Sequence, residues 1–73
     1  MTNKLMDMTV KNNICGSFDV GVEAIKGGVR MTGFLSNIQA AVEEIKRIAP
    51  ENMNIYVEQG GTGYSVFYEI VER

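Results

Sequence analysis

Seventy-three residues with a hydrophobic share of 45%, a net charge of −2 and no histidine leave room for one domain, residues 1–73, and little else. Cys15 is the only cysteine, which excludes an intramolecular disulfide. Without histidine it also excludes the usual four-ligand zinc sets and any histidine-based catalytic triad.

The chain opens on Met6, Met8 and Val10 alternating with Asp7 and Thr9, a period of two that predicts an N-terminal strand. Lys11-Asn12-Asn13 would then turn it back, or the alternation would run on through Ile14 as one long bent strand. Phe18, Val20, Val22 and Ala24 next alternate with Ser17, Asp19, Gly21 and Glu23. A two-residue turn at Gly27-Gly28 would pair Ala24 with Met31, Val22 with Gly33 and Val20 with Leu35. All these pairs lie on one face, so turn chemistry and apolar pattern agree.

A helix is expected from Ser36 to Ala49. Ile38, Ala41, Val42, Ile45, Ile48 and Ala49 form a stripe at the helical period, and Pro50 stops it. Ser36 and Gln39 have capping-box spacing, Glu43 and Arg47 are placed for an i,i+4 pair, and Lys46 and Arg47 suit the last turn. Beyond it, Ile55, Val57, Val66, Tyr68 and Ile70 share one parity. A turn within Gly60-Gly61-Thr62-Gly63 would set Val57 opposite Val66, Ile55 opposite Tyr68 and Met53 opposite Ile70. The predicted fold is therefore α+β: hairpin, helix, hairpin (ββαββ), with room for one extra N-terminal strand. Its antiparallel sheet has a single helix on one face.

That order leaves a second sheet face to explain. In these registers it carries Tyr56 opposite Phe67, Val71 further along, Phe34 opposite Gly21, then Ile25 and Cys15. A solvated face reads as Lys, Glu, Thr and Ser throughout, whereas this one holds two of the three phenylalanines. Isolated surface aromatics and cross-strand aromatic pairs are ordinary features of sheets. The concentration here favours a contact surface made of Phe34, Tyr56, Phe67, Val71 and Ile25.

The remaining chemistry is sparse. Gly60 to Ser65 resembles a phosphate loop only in its glycines: no lysine follows, and Tyr64 to Glu69 alternates like a strand. Cys15 has only Lys11 as a close basic neighbour and reads as a small packing residue. Glu43 and Glu44 point about 100° apart on a helix, so they cannot converge on one atom. Of the methionines, Met31 and Met53 read as core, and Met6 and Met8 suit either core or an adaptable surface. No catalytic set, cofactor or metal site is expected.

The basic residues Lys4, Lys11, Lys26, Arg30, Lys46, Arg47 and Arg73 are scattered, unlike the concentrated charge of a duplex-binding domain. Met1-Thr2-Asn3-Lys4-Leu5 lacks a signal-peptide core, and no stretch reaches the ~20 apolar residues of a membrane span. With a lone thiol, the cytoplasm is the expected compartment. A core this small supplies roughly 3–5 kcal/mol, and self-association is the remaining way to add to it. The expectation is a non-enzymatic homodimer that inhibits or tethers a partner protein by surface occlusion. On class grounds, rather than from any residue here, that extends to a phage or mobile-element inhibitor of host machinery. The alternatives are a single-stranded nucleic-acid binder stacking bases on the open face, and a small-ligand-sequestering protein with a pocket between protomers near the glycine-rich hairpin tips. No motif in the chain names a family.

Overall fold

The computed structural model of the chain describes residues 3–62 and 65–73. Its elements are α1 (Lys4–Lys11), α2 (Ile14–Phe18), β1 (Gly21–Ile25), β2 (Gly28–Thr32), α3 (Leu35–Ile48), β3 (Ile55–Thr62) and β4 (Ser65–Glu72). The four strands form one antiparallel sheet in the order β1-β2-β4-β3. From β2, α3 carries the chain past the position of β4 to the far edge, and β4 then returns down the middle. The mixed α+β fold and the ββαββ order are those expected.

The N-terminal segment differs from the expected strand. Met6, Met8 and Val10 lie on helix α1, and Asn12-Asn13 turns it into α2 rather than into a strand. The buried residues are Leu5 and Thr9, one helical turn apart, and the Thr9 hydroxyl is satisfied by donating to the Leu5 carbonyl at 2.6 Å. Asn3 starts the helix: its side-chain oxygen accepts from the Met6 amide at 3.0 Å. Its Nδ2 donates to the carbonyls of Ile25 (3.1 Å) and Gly28 (2.8 Å), tying α1 to the β1–β2 turn. Phe18 belongs to α2, and β1 begins only at Gly21, after a left-handed Asp19 (φ 54°).

Both hairpins keep their expected faces and slide in register. β1 pairs Val22 with Met31, Ala24 with Val29 and Ile25 with Gly28, so the turn is Lys26-Gly27, two positions from the expected pairing. Gly27, at φ 77°, supplies the positive angle that turn requires. The second hairpin slides by four: Val57 faces Ile70, Tyr56 faces Val71 and Gly60 faces Phe67. Gly60, Gly61 and Thr62, expected in the turn, lie within β3; residue 63, the last of that expected turn, is outside the described residues.

Helix α3 starts one residue earlier than expected. Phe34 is its N-cap and no side chain caps it, so the Ser36–Gln39 capping box is not formed. Ile38, Ala41, Val42 and Ile45 are buried as the stripe predicts. They join Leu5, Ile14, Val20, Val29, Met31 and Ile70 in one core, with Val22, Ile55, Val57 and Tyr68 packed against it. Val66, expected under the helix, instead lines the groove beside the hairpin tip. On the outside of α3 the pairs run i,i+3: Arg47 holds Glu44 through two bonds of 2.7 Å, and Lys46 lies 3.9 Å from Glu43. The expected Glu43–Arg47 pair is replaced by these. Three helices, α1, α2 and α3, rather than the single one expected, contribute to this one core, and the opposite sheet face is left uncovered.

Candidate functional site: the uncovered sheet face

The ladder registers arrange that face as three cross-strand rows, read in the order β1, β2, β4, β3. The first is Ile25, Gly28, Val71 and Tyr56; the second is Glu23, Arg30, Glu69 and Glu58; the third is Gly21, Thr32, Phe67 and Gly60. Apolar, charged and aromatic-with-small residues thus lie side by side, and the charged row runs through the middle.

Arg30 organises the centre. Its Nε and Nη2 both donate to Oε2 of Glu69, at 3.0 and 2.7 Å, while Nη1 lies 3.7 Å from Glu23. The same guanidinium stands 4.9 Å from the centroid of the Phe67 ring. Phe67 in turn lies flat over Gly60: a β-carbon at that glycine would come within 2.5 Å of Phe67 Cζ. An aromatic covering a strand glycine is the device expected at Phe34 and Gly21; it occurs at Phe67 and Gly60 instead. At the corner, Arg73 stacks 5.4 Å from the Tyr56 centroid and reaches Glu58 at 4.0 Å.

Four of the five expected contact residues, Ile25, Tyr56, Phe67 and Val71, therefore share this face. Phe34 does not: Gly21 pairs with Thr32, and Phe34 sits beyond the ladder at the start of α3, 74% exposed. Cys15, also expected here, is exposed on α2 beside a groove lined by Met6, Val10 and Val22. Sequence reasoning puts Arg30 and Lys26 near this surface but misses Glu69 and its pairing with Arg30. Strand parity alone puts Arg30 and Glu69 on the Phe67 face; their pairing needs the β2–β4 register, which joins strands that are not consecutive.

The composition of the face is informative. Both of its cations are arginines lying on aromatic rings. The chain's lysines sit elsewhere: Lys4 and Lys11 on α1, Lys26 in a turn and Lys46 on α3. Arginine and tyrosine are enriched in protein contacts and lysine is depleted. A guanidinium already held by a carboxylate and a ring loses little further freedom on binding. Against phosphate, Glu23, Glu58 and Glu69 outnumber Arg30 and Arg73, so the face is mildly acidic.

Among the described residues there is no group of His, Cys, Asp or Glu placed to hold a metal, and no helix is long and apolar enough to cross a membrane. No buried side-chain nitrogen or oxygen among them lacks a hydrogen-bond partner. No protein-family model, curated protein or solved structure matches the chain.

Proposed function

We propose that the protein is a non-enzymatic protein-binding module that works as a homodimer through the uncovered sheet face, leaving its remaining surface to occlude or tether a partner protein. The observation that carries this reading is the self-complementarity of the three rows. Let two copies pack face to face about a two-fold axis running along the strands between β2 and β4. Each β2 then lies over the partner's β4, and rows meet like rows. Arg30 faces the partner's Glu69 and Glu69 faces the partner's Arg30, closing a ring of alternating charge. Bulky residues meet small ones: Val71 over the partner's Gly28, Phe67 over the partner's Thr32, Ile25 beside the partner's Tyr56. Glu69 suits this role, since Oε2 takes both Arg30 bonds and leaves Oε1 for a second guanidinium. Glu23 and Glu58 come together at the rim, where their exposure (70% and 68%) keeps the repulsion small.

A standard interface buries about 800 Å² per partner, so the dimer has to use nearly the whole platform. The excess of carboxylates over guanidinium groups on the face weighs against single-stranded nucleic acid as its ligand.

Charge reversal tests the arrangement. Arg30→Glu alone sets carboxylates against each other across the axis, and Glu69→Arg alone sets guanidinium groups together, so each variant is expected to be monomeric. Mixed together, the two variants have opposite charges at every central contact. Native mass spectrometry is then expected to show the mixed dimer in excess over either homodimer. Single variants that dimerise as wild type does would place the dimer contact on another surface, and a mixture that stays as monomeric as the single variants would refute the pairing of Arg30 with the partner's Glu69.

A further inference from the structure

We infer that the open edge of β3 is a second binding surface, which takes an extended segment of a partner protein, alternating apolar and basic residues, as a fifth strand. Strand β3 is eight residues long, pairs continuously with β4 from Ile55 to Thr62 with no bulge, and carries neither lysine nor proline. Lysine, proline and bulges are the usual devices that stop a sheet edge from recruiting another strand. The direction of the unpaired groups follows from the ladder. The Arg73 amide donates to the Asn54 carbonyl at 2.9 Å, which fixes the alternation. The even-numbered residues of β3 face β4 with their backbone groups, and the N–H and C=O of Ile55, Val57, Gln59 and Gly61 point out to the open edge.

Side-chain chemistry on the two sides of this edge defines the occupant. On the helix side, an open groove of about 440 Å³ runs between α3 and the edge, lined by Val42, Val57 and Tyr68 with Gln39, Glu43 and Lys46 above. A strand added about 4.8 Å outside β3 would point alternate side chains into it; an aliphatic residue fits there. On the opposite side, Glu58 stands directly across from Glu69, a like-charge pair that costs stability. Arg30 is committed to Glu69 at 2.7 Å, and Arg73 reaches Glu58 only at 4.0 Å. A basic side chain from the added strand would flank Glu58 and relieve that repulsion. The chain's own Arg73, stacked on Tyr56, shows that the Tyr56–Glu58 pair accepts a guanidinium. Strand addition supplies affinity through main-chain bonds and selectivity through such alternate pockets.

The probe is a synthetic eight-residue peptide alternating valine and arginine, titrated into the wild-type protein and followed by isotope-edited NMR. Saturable binding with shifts at Val57, Gln59 and Val42 is expected, and the same peptide with glutamate for arginine should bind at least about tenfold more weakly. Gln59→Pro removes one outward-facing N–H and breaks no internal ladder bond, so the fold should persist by circular dichroism. It should weaken the arginine peptide at least about tenfold, the factor that ~1.4 kcal/mol produces. Absence of saturable binding, equal binding of the two peptides, or equal binding by Gln59→Pro would overturn the inference. Conversion of a wild-type dimer to monomer by Gln59→Pro would also overturn it, because the occupant would then be a second copy of this chain. Only that last result would also bear on the face dimer; the other three leave it untouched, and the Arg30 and Glu69 variants read the face independently of the edge.

Discussion

Replacing Asn3 tests the part of the fold that sequence periodicity misses. Its side chain accepts one bond from the Met6 amide and donates two, to the carbonyls of Ile25 and Gly28. Loss of an N-cap costs typically ~1 kcal/mol. Each half-buried hydrogen bond to a carbonyl adds about another 0.5–1.5 kcal/mol. Asn3→Ala should therefore cost about 2–4 kcal/mol, a large part of the roughly 3–5 kcal/mol a core this size supplies. For a domain of this length each kcal/mol lowers Tm by about 4–8 °C, so a drop of about 10–30 °C is expected. Asn3→Ser separates the contributions: it keeps a capping oxygen but cannot reach both carbonyls, and should fall between wild type and Asn3→Ala. Thermal and urea unfolding, followed by circular dichroism at matched concentrations, reads all three. An Asn3→Ala protein that melts with wild type, or an Asn3→Ser protein indistinguishable from it, would mean that α1 is not clamped to the β1–β2 turn.

Two further outcomes follow from packing and charge. A β-carbon at Gly28 would collide with the Ile70 carbonyl oxygen and come within 2.8 Å of Val71 Cα, backbone atoms that cannot swing aside. Gly28→Ala should destabilise by about 1–3 kcal/mol in urea unfolding, the cost of overpacking; an unchanged midpoint would contradict the β2–β4 contact. The Arg47 guanidinium hydrogen-bonded to Glu44 holds that carboxyl below its ordinary value. A depressed folded-state value adds stability that is present above the ordinary glutamate range and lost as pH falls through the folded value. Arg47, its partner, is exposed to solvent, so screening keeps the effect small. Glu44→Gln should lower stability slightly at neutral pH and converge with wild type in strong acid, and a difference that grows on acidification would contradict the pairing.

The elements legible in the sequence are those with redundant signals. The α3 stripe runs over fourteen residues and its buried positions are those the period marks. In both hairpins the division into faces is legible because an even slide preserves parity: Val22 meets Met31 instead of Gly33, yet both partners stay on the core side. For the same reason the register is not legible, since apolar alternation is blind to slides of two or four. Glycine misled twice. Gly28, expected in the turn, serves close approach of β2 to β4, and Gly60 is a bare strand position that Phe67 covers.

At the N-terminus, Met6, Met8 and Val10 alternate over too short a stretch to separate a strand from a helix. Val10, on that alternation, is 67% exposed. The signal that identifies the helix is Asn3 followed by Leu5, Met6, Met8 and Thr9, at spacings of one, three and four; counting Thr9 as polar hides it. The candidate face was legible as a set of residues and not as a pattern. Parity gathers Ile25, Tyr56, Phe67 and Val71, but the central Arg30–Glu69 pair depends on contact between strands separated by a helix. Phe34 falls on the face only in the expected register, which extends β2 past Thr32, where the strand ends.

In the proposed dimer a second copy covers the uncovered sheet face, and sedimentation equilibrium of the wild-type chain beside Phe67→Lys tests this most directly. From low to several hundred micromolar, wild type should pass from monomer to dimer, with a melting temperature that rises with concentration because association stabilises only the folded state. Phe67→Lys should stay monomeric over the same range and melt lower, at a temperature independent of concentration. A wild-type chain that remains a monomer throughout, or a Phe67→Lys chain that dimerises as wild type does, would contradict the account.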